Sequence, residues 1–225
     1  MSEKELRQAV VETAQKASAA GLMPGTAGNV SVRSGERFLV TPSGVPYEHL
    51  TEEMIVPMAL DGTFEGAWKP SSEWRMHADI YRERGEAQAV VHTHSPHATA
   101  LSTLRIDIPA FHYMIALAGG STVRCATYAT FGSAELSANM IAALEGRKAC
   151  LLANHGVTVF ERDLGKALRL AGEVELLAQE YFLARQLGEP VILDEAEMAR
   201  VIERFSGYGV QREERRARRR PSSND

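Results

Sequence analysis

The sequence predicts a mixed α/β fold in which helices cover a central sheet. Segments with the two-residue alternation of β-strands take turns along the chain with segments of helical periodicity, an order typical of a sheet layered with helices. Ser34-Gly35 and Asp61-Gly62 each separate two short strand-like segments and predict hairpins, so we expect antiparallel pairs in the sheet.

The composition is that of a globular chain with a sizeable core. The chain has 225 residues, of which 44% are hydrophobic and 24% are charged. We expect one domain over residues 1–210 and a disordered tail over 211–225, where six arginines fall among ten residues from Gln211. The formal net charge of −4 shows no basic bias, so we predict no nucleic-acid partner.

Neither an export signal nor a membrane partner is predicted. The N-terminus is charged, and no apolar run approaches the ~20 residues that span a bilayer. The two cysteines, Cys125 and Cys150, lie in apolar or strand-like segments, which favours buried free thiols over a disulfide framework. We therefore expect a cytoplasmic protein.

The chain begins with a predicted helix and a glycine-rich loop. Residues 4–20 carry apolar side chains at helical spacing, and Gly21 ends the helix. Residues 21–29 contain three glycines, a proline and an asparagine. Their exposed N–H groups, with Thr26 and Asn29, can cradle an anion, although a plain loop before a strand explains the same residues.

Two hairpins are predicted next, separated by a short helical segment. The first hairpin runs into a polar turn, Thr41-Pro-Ser-Gly44, whose hydroxyl and backbone donors can approach a ligand. The predicted bounds are 29–33 and 37–41 for the first strand pair, 47–54 for the helical segment, and 55–60 and 63–67 for the second pair.

Pro70-Ser-Ser-Glu73 opens a helix that we predict to run to about residue 84. Ser71 or Ser72 is a natural N-cap, and Glu73 then lies in the first turn, where the helix dipole favours a carboxylate. A helix N-terminus with two hydroxyls is also an anion site. Capping and anion binding explain these residues equally well.

A buried strand, residues 89–91, leads directly into His92 and His94. Positions i and i+2 of an extended chain point to the same side, so the two imidazoles can face one point, as neighbouring ligands of a metal do. A solvated strand end is the alternative interpretation of this pair.

The second half of the chain continues the alternation of strands and helices. A third histidine, His155, follows another buried strand, in a turn made by Asn154 and Gly156. The predicted elements are a short helix from 96, a strand at 123–128, a helix at 133–145 capped by Ser133, strands at 149–153 and 157–160, and helices at 163–187 and 194–205.

His92, His94, His155 and Glu73 together make a plausible divalent metal site. Imidazole and carboxylate ligands suit zinc, and Mn²⁺ or Co²⁺ is an alternative. A phosphate cradle beside such a metal suggests a small phosphorylated substrate, with zinc polarising its carbonyl and a carboxylate acting as general base. The residue types alone leave several reaction classes open.

Seven separate strings in one order give a more specific indication. Together they resemble the class II aldolase/adducin family, and within it the L-fuculose-1-phosphate aldolase branch, over residues 1–210. The strings are Gly25-Thr-Ala-Gly-Asn-Val-Ser31, Thr41-Pro-Ser-Gly44, Pro70-Ser-Ser-Glu-Trp74, Val91-His-Thr-His94, His112-Tyr-Met-Ile115, Tyr128-Ala-Thr-Phe-Gly132 and Asn154-His-Gly156.

The resemblance implies a three-layer α/β/α fold with a mostly antiparallel central sheet, and a homotetramer with active sites at subunit interfaces. It implies Zn²⁺ held by His92, His94 and His155, with Glu73 as the fourth ligand that swings away and serves as the catalytic acid/base. Tyr113 from a neighbouring subunit would exchange a proton with the aldehyde oxygen.

The resemblance also implies where the substrate lies. Aromatic residues Phe205 and Tyr208 would close over the aldehyde end. The phosphate would lie among Thr26, Gly28, Asn29, Ser43, Gly44, Ser71 and Ser72. Ser43 stands where the branch has threonine, and because the hydroxyl is kept we expect phosphate binding to survive.

The implied reaction is cleavage of a ketose 1-phosphate to dihydroxyacetone phosphate and an aldehyde. The candidate substrates are L-fuculose 1-phosphate, 5-deoxyribulose 1-phosphate and 5-methylthioribulose 1-phosphate. The family also contains a pentulose-phosphate 4-epimerase, a methylthioribulose-1-phosphate dehydratase and the non-enzymatic adducin. The four metal ligands argue against an adducin-like interaction module, and Tyr113 favours the aldolase; we expect its neighbour His112 to be structural.

Overall fold

A seven-stranded sheet runs through the middle of the protein. The computed structural model describes residues 1–205, so the predicted aromatic residue Tyr208 and the tail 211–225 lie outside the described part of the chain. The strands are β1 Asn29–Ser34, β2 Arg37–Val40, β3 Val56–Ala59, β4 Ala89–Thr93, β5 Arg124–Ala126, β6 Ala149–Leu152 and β7 Gly156–Glu161.

The strand order is β3-β2-β1-β4-β7-β6-β5. Neighbouring strands pair antiparallel except β5 and β6, which are parallel. The predicted mixed, mostly antiparallel sheet is therefore confirmed.

Helices pack on both faces of this sheet, which gives three layers. The helices are α1 Glu3–Ala19, α2 Trp74–Glu83, α3 Pro96–Thr103, α4 Ala134–Ala143, α5 Leu164–Leu187 and α6 Glu195–Phe205, with short 3-10 helices at Tyr47–His49, Glu52–Met54 and Tyr113–Ala118. One core joins α1, α3, α5 and α6 to the sheet through residues such as Val91, and the other joins α2 and α4 to it through residues such as Val90. Because consecutive residues of a strand face opposite sides, β4 contributes to both cores.

Strand β4 lies in the interior of the sheet, between β1 and β7, and is antiparallel to both. This pairing places Asn29, the first residue of β1, beside His92, and it places Val157, near the start of β7, beside Thr93. The end of β4 and the starts of β1 and β7 therefore meet along the edge of the sheet that is formed by strand ends. This edge carries the candidate site.

The structure corrects two predicted strands. In the second predicted hairpin only β3 forms, and a single bridge from Met58 to Phe64 replaces the returning strand. The side chain of Asp61 accepts hydrogen bonds from Thr63, which closes a local turn, and Phe64 is half exposed, so little apolar burial supports a longer ladder. The strand predicted at 123–128 is likewise limited to β5.

Glu73 lies one position earlier in helix α2 than predicted. The helix begins at Trp74, so Glu73 itself occupies the N-cap position, and neither Ser71 nor Ser72 does. The Ser71 hydroxyl instead accepts a hydrogen bond from the Glu73 N–H at 3.2 Å. At the N-cap the Glu73 side chain makes no capping bond and is directed towards the histidines.

Both cysteines are free thiols, with Cys150 buried and Cys125 half-buried. Within residues 1–205, no helix combines the length and the apolar character that crossing a bilayer requires.

Candidate metal centre

Four side chains from three separate parts of the chain converge at the sheet edge. The possible ligand atoms of Glu73, His92, His94 and His155 all lie within 4.8 Å of one another. The three imidazole rings are mutually close to perpendicular, with centroids 4.8 to 4.9 Å apart. The structure thus brings together the four residues that the sequence suggests as a metal site.

The distances between these ligand atoms match the needs of a small cation. The Nε2 atoms of His92 and His94 are 3.0 Å apart, and Glu73 lies 3.2 Å from Nε2 of His92 and 3.0 Å from Nε2 of His155. In a tetrahedral zinc site with bonds of about 2.0–2.1 Å, neighbouring ligand atoms are separated by roughly 3.3 Å. The side chains therefore fit a divalent ion.

The orientation of His92 favours metal binding. Its Nδ1 lies 2.8 Å from the carbonyl oxygen of Val157, and because a carbonyl only accepts, Nδ1 carries the proton of the neutral ring. The lone pair of Nε2 is then directed at the centre of the cluster. Burial, and the positive charge that His92 and His155 carry when they are protonated, lower the pKa of His94 to about 4, so His94 is neutral at physiological pH.

Glu73 is the charged member of the cluster and is buried. Burial alone would raise the pKa of its carboxyl, but the positive charge that His92 and His155 carry when they are protonated outweighs this effect and holds the pKa well below its usual range. Its Oε1 is buried and accepts no hydrogen bond, although Nε2 of His155 is near. A buried carboxylate oxygen without a hydrogen-bond donor is the kind of atom that a cation satisfies.

A glycine is required at two points beside the cluster. At Gly28, whose φ is +83°, an added Cβ would lie 2.7 Å from the carbonyl oxygen of His92. At Gly156 an added Cβ would lie 2.3 Å from the carbonyl oxygen of Thr93 and close to two histidine rings. These contacts explain why glycines flank the strand ends at which the histidines lie.

The cluster opens into a cavity of about 420 Å³. Glu73, His94 and His155 are on its wall, together with all the residues predicted to bind phosphate: Thr26, Gly28, Asn29, Ser43, Gly44, Ser71 and Ser72. No lysine or arginine is found among the described residues of this wall. An anion bound here would therefore be stabilised by hydroxyl and N–H donors, by a metal, and by the N-terminus of α2.

The loops of this cradle are held in place by hydrogen bonds from neighbouring segments. The Tyr47 hydroxyl donates to the carbonyl oxygens of Ala27 and Gly28, at 3.1 and 2.7 Å. The N–H of Ser71 donates to the carbonyl oxygen of Thr41, and that of Ser43 donates to Lys69. Three loops distant in sequence therefore form one wall.

Tyr113 and Phe205 lie elsewhere in the same chain. Their rings stack with centroids 6.2 Å apart, on the wall of a separate cavity of about 820 Å³. Tyr113 is half exposed. The structure thus brings the metal and phosphate residues together but places these two aromatic side chains outside that cavity.

The sequence interpretation missed the role of a buried histidine and part of the cavity wall. His77 is fully buried and contacts Asn29, but a single histidine inside a helix gives no sequence signal of this role. Tyr128, Phe131 and Asn154 also line the cavity. Their motifs contribute to the family resemblance, but no part in the cavity was predicted for them.

Comparison with known proteins agrees with this geometry. A family model described as the class II aldolase and adducin N-terminal domain matches residues 8–182. A 5-methylthioribulose-1-phosphate/5-deoxyribulose-1-phosphate aldolase of Rhodospirillum rubrum is 51% identical over 204 residues, which cover 91% of this chain and 92% of the relative. An L-fuculose phosphate aldolase of Escherichia coli is 48% identical over 95% of this chain and 100% of the relative. A solved L-fuculose 1-phosphate aldolase superposes with a TM-score of 0.87 at 41% identity, covering 90% of this chain and 96% of that chain.

Proposed function

The chain belongs to the class II aldolase and adducin family, and we propose that it is a metal-dependent aldolase that cleaves a ketose 1-phosphate to dihydroxyacetone phosphate and an aldehyde. One observation carries the proposal: a three-histidine, one-carboxylate cluster and a cradle of neutral phosphate donors share one cavity. This arrangement can hold a sugar phosphate by its phosphate while its carbonyl is next to the metal.

The cradle residues bind and orient the substrate. Thr26, Ser43, Ser71, Ser72 and Asn29 line the cavity, and in our proposal their hydroxyls and the Asn29 amide donate to the phosphate. In our proposal the bound phosphate holds the carbon atoms of the sugar within reach of Glu73. Fixing the phosphate in this way supplies the orientation that aldol cleavage requires.

Glu73 moves the proton in this proposal. Its carboxyl is buried and its pKa is held low, so the free site carries the carboxylate. In the condensation direction this carboxylate removes a proton from the reacting carbon of dihydroxyacetone phosphate, and in the cleavage direction the resulting carboxylic acid returns the proton to that carbon. His92, His94 and His155 hold a divalent ion, for which zinc fits the donor set well.

When bound, the metal supplies Lewis acidity, which polarises the substrate carbonyl and stabilises the negative charge that develops on its oxygen. The chain supplies the rest: hydrogen bonds to the phosphate, proton transfer at Glu73, and exclusion of bulk water by the buried cluster.

The aldehyde end of the substrate lies against a more apolar wall in our proposal. Tyr128, Ala129 and Phe131 also line the cavity. Such a wall suits the methyl groups of L-fuculose 1-phosphate and 5-deoxyribulose 1-phosphate and the methylthio group of 5-methylthioribulose 1-phosphate, the substrates for which the relatives are named.

A second copy of the chain completes the site in our proposal. Tyr113 and Phe205 stack in a separate cavity, so they cannot serve the metal of their own subunit in this arrangement. In a homotetramer with sites at subunit interfaces, this aromatic pair lies over the neighbour's cavity and Tyr113 exchanges a proton with the aldehyde oxygen. A cytoplasmic location belongs to the same proposal.

Measurement of dihydroxyacetone phosphate release tests the function. Zinc-loaded protein is given each of the three ketose 1-phosphates in a coupled assay, with metal-free protein as the control. We expect release from at least one substrate and loss of release without metal. No release from any of them by protein of measured metal content would contradict the proposal.

The same reactions separate the alternatives within the family. An epimerase or a dehydratase leaves the carbon–carbon bond intact, so the mass of the product distinguishes both from an aldolase. A non-enzymatic, adducin-like module would bind no metal and would leave all three substrates unchanged.

A further inference from the structure

A chain of buried polar side chains runs from helix α2 through strand β1 to Glu73. The Tyr81 hydroxyl contacts Ser31 at 2.7 Å, Ser31 contacts Nδ1 of His77 at 2.6 Å, and Nε2 of His77 contacts Oδ1 of Asn29 at 2.5 Å. The amide nitrogen of Asn29 then donates to Glu73 at 3.0 Å. No described member of this chain is more than 7% exposed.

The direction of every hydrogen bond in this chain is set at its Glu73 end. An ionised carboxylate only accepts, so the NH₂ group of Asn29 faces Glu73 and its Oδ1 faces His77. Because Oδ1 also only accepts, Nε2 of His77 must carry a proton. Burial lowers the pKa of His77 to about 3, so the ring is neutral and Nδ1 accepts from the Ser31 hydroxyl. The Ser31 oxygen in turn accepts from the Tyr81 hydroxyl.

We propose that His77 is a positioning residue that fixes the amide of Asn29 with its NH₂ group towards the cavity. Without a donor at Nε2, the buried Oδ1 of Asn29 loses its hydrogen bond from His77, and the contact with Glu73 alone holds the amide in this direction. The flipped amide would present its oxygen to the Glu73 carboxylate and to a bound phosphate, and both contacts are repulsive.

The proposal explains why a histidine that touches neither the cavity nor the cluster is buried here. His77 is fully buried and is absent from the wall of the cavity. The His77 ring could make its two hydrogen bonds in either tautomer. Only the tautomer with the proton on Nε2 turns the NH₂ group of Asn29 towards the site. The substrate role of Asn29 rests on the proposed function, whereas the direction of its amide does not.

The tautomer of His77 is the first test. In zinc-loaded protein labelled with ¹⁵N-histidine, we expect the ring nitrogens of His77 to show a protonated Nε2 and an unprotonated Nδ1 at pH 7; the His77→Gln variant assigns the signals. A protonated Nδ1 with an unprotonated Nε2 would overturn the proposal, whatever the activity of the protein.

Phosphate binding by matched variants is the second test. Glutamine at position 77 places its amide nitrogen close to the position of Nε2, whereas asparagine places it close to Nδ1. We expect His77→Gln to bind inorganic phosphate as the parent does, and His77→Asn to bind it about 10- to 100-fold more weakly, with metal content unchanged. The KM for the ketose 1-phosphate is expected to rise in the same ratio.

Tyr81→Phe is the control for a merely structural effect. It removes a buried hydroxyl from the far end of the chain, but Ser31 can still donate to Nδ1, so we expect phosphate affinity to stay within about 2-fold of the parent. Equal weakening of phosphate binding in His77→Gln, His77→Asn and Tyr81→Phe, in step with their thermal stability, would overturn the positioning role.

These measurements separate this inference from the proposed function. If the parent protein cleaves no ketose 1-phosphate, the proposed function fails, and the tautomer still decides the direction of the Asn29 amide. If the parent cleaves its substrate and His77→Asn binds phosphate normally, the function stands and the positioning role fails.

Discussion

At the scale of single residues, Glu73 combines two environments that act in opposite directions on its carboxyl. Burial favours the neutral form, and the neighbouring histidines favour the carboxylate, which prevails. A carboxylate kept ionised out of water is stabilised by a cation and is reactive as a base once that contact is released. The position of Glu73 at the N-cap of α2 directs it to the cluster.

Glu73→Gln tests the base role directly. The amide keeps the shape of the side chain but cannot accept the proton, so we expect turnover to fall by about 10²- to 10⁴-fold while the fold is retained. Steady-state kinetics measures the turnover, and a bound-metal assay on the same preparation shows whether the folded metal site is retained. Unchanged turnover would contradict the role of Glu73 as the base.

The buried imidazole of His77 predicts a pH dependence of stability. Its pKa is about 3 in the folded protein and 6.5 in the unfolded chain, so between these values only the unfolded chain binds the proton. Stability from this group is therefore full above pH 6.5 and is lost as the pH falls, by about 1.4 kcal/mol per pH unit.

Urea denaturation of metal-free parent and His77→Gln between pH 4 and 7 measures this effect. The free energy of unfolding of the parent should fall more steeply below pH 6.5 than that of the variant. Parallel curves would mean that His77 titrates normally in the folded protein.

At the scale of elements, the turn between β6 and β7 places the third histidine. Asn154 adopts a left-handed conformation with φ of 53°, and Gly156 begins β7 against the end of β4. The close approach of the two backbones at this point leaves no room for a side chain at Gly156. The metal ligand His155 is therefore positioned by backbone packing at a strand end.

Gly156→Ala should displace this turn. Its Cβ would contact the Thr93 carbonyl at 2.3 Å, so we expect a loss of about 1–3 kcal/mol of stability together with weaker metal binding. Gly172→Ala is the matched control, since Gly172 lies inside α5 with open space around it, and it should stabilise the protein by about 0.5–1 kcal/mol. Denaturant unfolding and metal titration measure both variants; equal stability of the two would contradict the steric argument.

At the scale of the whole molecule, the cluster joins β4, the turn before β7 and the start of α2. A metal bound to the folded state alone adds stability, about 2.7 kcal/mol at a free concentration of 100 times its Kd. We expect zinc to raise the Tm of the parent and to leave the Tm of His94→Ala nearly unchanged. Differential scanning calorimetry with and without a chelator checks this; equal shifts in both proteins would place the metal elsewhere.

Mixed oligomers test the contribution of a second subunit. If Tyr113 serves a neighbouring subunit's metal, Glu73→Gln and Tyr113→Phe are each poorly active alone. When co-refolded, they form some sites that carry both native residues, so activity should recover to a fraction of the parent value. Absence of recovery in a verified mixed oligomer would contradict the shared site.

Much of this site was determined by the sequence alone, because the periodicity of a strand or helix fixes which neighbouring side chains lie on the same side. The two-residue period of a strand puts His92 and His94 on one side, and the serines before α2 lie at a helix N-terminus. These features required no knowledge of the fold. The predicted return strand around Phe64 was wrong because period and turn signals do not report whether a strand finds a partner.

Only the tertiary structure decided which distant residues meet. The antiparallel pairing of β4 with β1 and β7 brings Asn29 and His155 to His92, and no local pattern specifies that register. Burial of His77 against Asn29 likewise depends on how α2 packs on the sheet. Tyr113 instead lines a separate cavity, together with residues of α6. The sequence thus determined the chemistry of each group. The tertiary structure decided which groups lie next to one another, because long-range packing is a property of the whole core.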